Sequence, residues 1–235
     1  MNLILVEPAD FVSDGTVPLH GRRAEHVRTV HRAAMGDELA VGLVDGAVGR
    51  GRITRLDDAA VELEVVLDRP PPPASAVTLV LALPRPKVLR RLLPGVAAFG
   101  IKRIVLLHAY RVEKSYWASP LLQPTSLRAA LLLGLEQARD TIVPRVYLAR
   151  RFRPYVEDEL DTLAGAGGRL VGDASGAPCP AAVDGPLTLV VGPEGGFISF
   201  ELELLGARGF TAVSLGPRAL RVEHAVPALL GRLRP

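Results

Sequence analysis

Four consecutive prolines, Pro70 to Pro73 in the run RPPPPA, constrain this chain more than any other feature. Each proline locks φ and lacks an N–H, so neither a helix nor a central strand can pass through the run. It reads as a stiff, extended connector. It divides the 235 residues into a first part over 1–70, a linker over 71–75 and a second part over 76–235. The two parts differ in rhythm, and the difference predicts two kinds of architecture.

Before the prolines the pattern is short and β-like. ELAVGLV (38–44), VGRGRIT (48–54) and AVELEVVL (60–67) alternate in part between apolar and polar residues. Gly36-Asp37 and Asp45-Gly46 are turn signals between them. One short helix is expected over Arg22 to Thr29. A small β-barrel fits this length and spacing.

After the prolines, strands alternate with helices. VTLVLAL (77–83), RIVLLHA (103–109), VYLARR (146–151), RLVGDA (169–174), LTLVVGP (187–193) and TAVSLG (211–216) read as strands. KVLRRLLPGVAAFG (87–100), LRAALLLGLEQARD (127–140) and PYVEDELDTLA (154–164) read as helices, with Pro94 expected to kink or split the first. Such alternation predicts an α/β domain built on a mostly parallel sheet. In these sheets ligands bind beyond the carboxyl ends of the strands.

Two glycine-proline loops would lie at such ends. TLVVGPEGGFISFELELL (188–205) and TAVSLGPRALRVEHAVPALL (211–230) each read as strand, turn and helix. In the first loop, Gly192, Gly195 and Gly196 permit positive φ and let a ligand approach the backbone, while Pro193 stiffens the turn. Glu194 is its one ionisable group, able to accept a hydrogen bond or take up a proton. Ser199 is a plausible helix N-cap, with Glu201 in the first turn. A plain strand-to-helix turn needs fewer glycines, so a ligand loop is expected. In the second loop, Arg218 and Arg221 stand three residues apart. They read either as flanking one ligand or as a surface pair, with Arg221 bridged to Glu223.

The common alternatives lack their motifs. There is no G-x-x-x-x-G-K-[ST] and no G-x-G-x-x-G. H-E-x-x-H and C-x-x-C are absent too, so no metal is expected. Gly172-Asp173-Ala174-Ser175-Gly176 has the wrong spacing for a nucleophile elbow, and a triad with His108 and Asp173 is disfavoured. Cys179, the single cysteine, lies between prolines and reads as a loop thiol rather than a nucleophile. The start MNLILVEPADF reaches acidic residues quickly and lacks a basic stretch, and no apolar run matches a membrane span, so a cytoplasmic protein is expected.

Charge is unevenly distributed. Residues 1–75 carry 8 Lys/Arg against 12 Asp/Glu, and residues 76–235 carry 20 against 13. Within the acidic part, HGRRAEHVRTVHR (20–32) runs the other way, with Arg22, Arg23, Arg28 and Arg32 among three histidines. The cluster reads either as a polyanion contact or as a solvated helix face. Arginine outnumbers lysine 25 to 3, which also fits a GC-rich genome and is not by itself evidence of nucleic-acid binding.

At the two loops the chain resembles a known family. GPEGG followed by LGPRALRVE is similar to the SPOUT-class methyltransferases that modify N3 of a uridine in 16S ribosomal RNA. The resemblance spans nearly the whole chain. HVRTVHRAAMGDELAVGLVDG (26–46) is similar to the family's PUA-like RNA-binding barrel. Gly100 to Ile104 resembles the start of one of its strands, Arg111 stands at the position of a family arginine, and Glu136-Gln137 with Val143-Pro144 resembles a helix end. The resemblance implies a deep C-terminal trefoil knot, S-adenosylmethionine as methyl donor and a homodimer. It places the cofactor on Gly192, Pro193, Glu194, Gly195 and Gly196, and on Leu215, Gly216, Arg218, Leu220 and Arg221. Backbone around Leu170 and Gly172 is expected to join them.

The chain departs from the family at three places. The usual LRTETA reads Leu220-Arg221-Val222-Glu223-His224-Ala225, without both threonines. The common KATELG reads Gly95-Val96-Ala97-Ala98-Phe99-Gly100. An arginine usual after EQ is Asp140, with Arg139 one position earlier. For the chemistry, Arg221 is expected to stabilise charge on the target base, with Glu194, Glu223 or His224 as the proton acceptor. Arg85, Lys87, Arg90, Arg91 and Arg111, with the N-terminal arginines, are expected to hold RNA phosphates. A methyltransferase of another RNA, such as transfer RNA, and a non-catalytic ribosome assembly factor are the alternatives.

Overall fold

The computed structural model describes residues 2–57 and 60–233. The chain forms two compact units. One holds Met1–Pro73 together with Leu131–Val143, and the other holds Ala74–Ala130 and Pro144–Pro235.

In the first unit the strands are β1 (Ile4–Val6), β2 (Thr16–Leu19), β3 (Glu38–Leu43), β4 (Val48–Leu56) and β5 (Val61–Arg69). Helix α1 (Gly21–His26) follows β2 and runs into a π-helical turn over Val27–His31. The sheet order is β1-β3-β4-β5-β2, with β1 parallel to β3 and the other pairs antiparallel. Period-two alternation puts Val61, Leu63 and Val65 of β5 inside, against Ile4, Val6, Val17, Val41 and Ile53. Gly49 sits at a bulge where an added Cβ would lie 1.9 Å from the Val66 carbonyl, so only glycine fits there. β1 and β2 escaped the sequence reading because both are short and β2 contains Pro18. Proline is tolerated because β2 is an edge strand.

The segment Leu131–Val143 groups with this unit, although the linker had suggested assigning all of 76–235 to the second domain. Hydrogen bonds explain the grouping. The Asn2 amide donates to the Glu136 carbonyl at 3.0 Å, and the Asp45 amide to the Thr141 carbonyl at 2.9 Å. The Val143 amide returns a bond to the Asp45 carboxylate at 2.8 Å. Arg22 forks onto both oxygens of Glu136, a carboxylate whose side chain is only 6% exposed.

The second unit contains β6 (Val77–Ala82), α2 (Pro86–Ala98), β7 (Arg103–Leu107), the first part of α3 (Pro124–Ala138) and β8 (Arg145–Ala149). Then come α4 (Phe152–Pro154), a π-helical turn, α5 (Leu160–Ala164), β9 (Gly168–Pro178), β10 (Leu187–Val191), α6 (Ser199–Ala207), β11 (Thr211–Ser214) and α7 (Val222–Arg232). Six strands form one sheet in the order β11-β9-β10-β6-β7-β8, every pair parallel. This agrees with the strand-helix alternation of the sequence. Every residue of β6 and β10 is buried, as expected of strands covered on both faces. α2 runs unbroken through Pro94. The carbonyl that loses its partner there belongs to Arg90, an exposed residue whose backbone water can reach. α7 packs against α2.

Candidate functional site

The site forms where β10 and β11 end and where β9, lying between them, bulges away from β11 between Val171 and Ala177. The turns after β10 and β11 and the bulge of β9 enclose a cleft of about 380 Å³. That is the size range of small-molecule sites. Gly192 to Gly196 form one wall, Leu215 to Leu220 the other, and Gly172 to Ala174 the floor between them.

Four groups hold the first loop. The Arg111 guanidinium, from the segment after β7, donates to the Gly195 carbonyl. The Glu194 carboxylate accepts from the Arg85 amide at 3.2 Å, at the start of α2. The Gly196 amide closes the turn on the Pro193 carbonyl at 2.8 Å, with φ at 74°. Glu201, 2% exposed, accepts from the Ile198 amide at 3.0 Å and from the Tyr110 amide at 2.7 Å. The helix cap expected from Ser199 is therefore made by Glu201 reaching back, and Ser199 is itself the first helical residue. A Cβ on Gly195 would stand 3.0 Å from Arg111 Cδ, so any larger residue would have to push this anchor aside by a few tenths of an ångström.

The second loop is open. Gly216 to Arg221 are all exposed. The Ser214 hydroxyl bonds to the Gly216 amide and carbonyl, each at 3.2 Å. Gly216 adopts φ 119°, which side chains disfavour.

Most expected cofactor residues line the cleft: Gly172, Gly192, Pro193, Glu194, Gly195, Gly196, Leu215, Gly216, Arg218 and Leu220. Leu170 does not. It sits two residues back, inside the β9 ladder, paired with Leu189 and Thr211. Arg221 is also outside the lining and is the exposed residue on which α7 starts, its carbonyl accepting from His224 and Ala225. Glu223 and His224 lie in the first turn of α7 and do not line the cleft.

The expected phosphate contacts divide sharply. Arg22 pairs with Glu136, and Arg23 pairs with Asp10 at 2.6 Å while also donating to the Leu5 carbonyl. The Arg23 hydrogen bond holds the Asp10 carboxyl below its usual range. Arg28 donates to the Asp57 carbonyl at 2.8 Å. Three of the four N-terminal arginines are thus tied to the protein, and the composition of HGRRAEHVRTVHR could not show it. Arg32 ends the π-helical turn in a left-handed conformation, φ 49°. Arg85, Lys87, Arg90 and Arg91 are exposed on α2 and its start. Arg111 belongs to the cleft, as the anchor of Gly195.

The sequence reading missed Asp173 as a lining residue, together with Phe197, Val213, Val222 and Ala225. Asp173 carries no motif, and only the bulge of β9 between the two loops puts it there. Cys179 is buried, and burial pushes its thiol up, consistent with an inert role. Among the described residues no helix is long and apolar enough to cross a membrane, and no group of three His, Cys, Asp or Glu could hold a metal.

Residues 70–234 match the model of the RNA methyltransferase domain family. The chain belongs to that family. A relative among RNA methyltransferases is the ribosomal RNA small subunit methyltransferase E of Treponema pallidum, 29% identical, with 97% of this chain and 88% of the relative covered. A second, from Borreliella burgdorferi, is 21% identical with 97% and 95% covered. Of solved structures, a Neisseria gonorrhoeae ribosomal RNA small subunit methyltransferase E bound to S-adenosyl methionine matches with TM-score 0.72 at 21% identity, covering 98% of this chain and 95% of that one. A Legionella pneumophila methyltransferase in complex with the same cofactor matches with TM-score 0.70 at 21% identity, over 97% and 95%. These two share the fold of this chain over nearly its whole length.

Proposed function

We propose that this protein transfers a methyl group from S-adenosylmethionine to N3 of a uridine in 16S ribosomal RNA. The observation that carries the reading is the cleft itself, two glycine-proline loops facing each other beyond β10 and β11 in an RNA methyltransferase domain. Its size and its glycine-lined walls fit a ligand held by its edges. Gly192, Gly195, Gly196 and Gly216 would hold the donor through backbone groups, and Leu215 and Leu220 would contact its apolar parts. The bound donor supplies an electrophilic methyl on a sulfonium. N3 of uracil bears a proton and is hidden by base pairing, so the target base must be unpaired or extruded and lose that proton. Glu194, the expected base that lines the cleft, accepts it in this reading, rather than Glu223 or His224. Arg221 stabilises the charge that builds on the uracil oxygens.

The relatives are ribosomal RNA small subunit methyltransferases, which supports the substrate class. Of the cations expected to meet phosphates, Arg32, Arg85, Lys87, Arg90 and Arg91 are exposed and available in this reading. We further assign the second unit to the SPOUT class, with a trefoil knot at its C-terminal loops, the first unit to a PUA-like barrel, and the whole to a cytoplasmic homodimer. Mass spectrometry of 16S RNA from a deletion strain tests the reading. One missing methyluridine, restored by the purified protein with S-adenosylmethionine, is expected. Fully modified 16S RNA in that strain would refute the assignment and favour another RNA.

A further inference from the structure

We infer that Asp173 is the counter-charge for the methyl donor and the residue that makes the cleft prefer fresh donor to spent product. The inference rests on the S-adenosylmethionine reading above. Four charged side chains line the cleft: Arg111, Asp173, Glu194 and Arg218. Arg111 is drawn to the Gly195 carbonyl and Glu194 to the Arg85 amide. Asp173 is held differently. Its Oδ1 accepts from the Ser175 amide at 2.9 Å and from the Ser175 hydroxyl at 2.6 Å. Both bonds fall on one oxygen. Among the described residues Oδ2 has no partner, and neither Arg111 nor Arg218 forms an ion pair with this carboxylate although both line the same cleft. Ser175 thus fixes the orientation of a carboxylate without neutralising it.

Such a group suits a cation that comes and goes. S-adenosylmethionine carries a sulfonium and an ammonium against one carboxylate, so it is a net cation. When the methyl carbon bonds to N3, the S–C bond breaks and its electron pair stays on sulfur. The resulting thioether is neutral, and S-adenosylhomocysteine has no net charge. A fixed carboxylate in a half-exposed cleft therefore attracts the donor and loses that attraction when transfer is complete. A simple hydrogen bond to the ribose or the ammonium, which donor and product share, would favour neither.

Titration calorimetry with S-adenosylmethionine and with S-adenosylhomocysteine separates these cases. Asp173→Asn keeps an acceptor for Ser175 and removes only charge. It should weaken donor binding about tenfold and product binding less than about twofold, the scale of one unit charge lost at a few ångströms in a half-exposed site. Ser175→Ala keeps the charge and should keep the preference for donor. In the wild type the preference should shrink as salt rises, and in Asp173→Asn it should be insensitive to salt. Melting temperatures check that both variants fold. Equal weakening of the two ligands by Asp173→Asn, or no weakening, overturns the inference while leaving the cofactor reading intact. A folded wild type that binds neither ligand overturns the cofactor reading and this inference with it.

Discussion

The two loops of the cleft are close in sequence pattern and far apart in how the protein holds them. The GPEGG loop is tied from four sides, by Arg111, by the Arg85 amide on Glu194, by its own turn and by the buried Glu201 behind it. The LGPRAL loop is exposed from Gly216 to Arg221 and rests on the Ser214 hydroxyl. One motif has been used to build a preorganised wall, and the other a wall with room to adjust. Preorganisation lowers the ordering that binding would otherwise require. The open loop lacks such ties, and it carries the two arginines, Arg218 and Arg221.

The largest test of this contrast is Arg221→Ala. If the open loop carries the chemistry, turnover should fall about 100-fold or more with the melting temperature unchanged, the scale seen when one transition-state donor is removed. Wild-type-like turnover would take Arg221 out of the mechanism. Next is Glu201→Ala on the anchored side. It strands two backbone N–H groups near the core and should cost about 3 kcal/mol in urea unfolding. An unmoved midpoint would mean that the first loop is not held as described. Arg111→Ala should weaken S-adenosylmethionine binding several-fold by calorimetry and cost about 1 kcal/mol of stability. Gly216→Ala strains the open loop through φ alone, by about 1 kcal/mol. Its effect should show in ligand affinity more than in unfolding.

The smallest effect lies in the segment that carries Arg111. The Trp117 indole donates to His108 Nδ1 at 2.9 Å, and Arg150 lies 5.0 Å from the centre of the Trp117 ring. Desolvation, and then the nearby Lys114 charge, hold His108 below its ordinary value of 6.5. The fold therefore favours neutral imidazole. That contribution is fully present above the unfolded value and is lost as pH falls through the folded one. Trp117 is the only tryptophan, so its emission should change below pH 6.5 as the bond breaks, and His108→Gln should abolish the change. A pH-independent emission in the wild type would remove the segment's link to His108.

The cleft was legible because its glycines and prolines are backbone requirements, and such requirements show in sequence. The parallel sheet was legible for a similar reason, since strand and helix periods alternate plainly after Pro73. Side-chain partnerships were not. Arg22 and Arg23 look like a cationic patch until Glu136 and Asp10, distant in sequence, are seen beside them. Ser199 looked like the cap, but the carboxylate of Glu201 does that work from inside the helix. Asp173 follows the expected cofactor residue Gly172, yet its carboxylate reaches the cleft only because β9 lies between β10 and β11.

The placement of β6 has a consequence for how the chain is made. It pairs on one side with β7, which follows soon after, and on the other with β10, where Val77 meets Leu187 over a hundred residues later. During synthesis, a buried strand that is apolar apart from Thr78 must therefore wait with one edge unpaired while most of the second unit is still being translated. Pairing across such separation is slow, and an open apolar edge recruits other chains. Recovery of active protein from denaturant should accordingly fall with protein concentration more steeply than its thermal stability would suggest, and a chaperone that shields that edge should restore it.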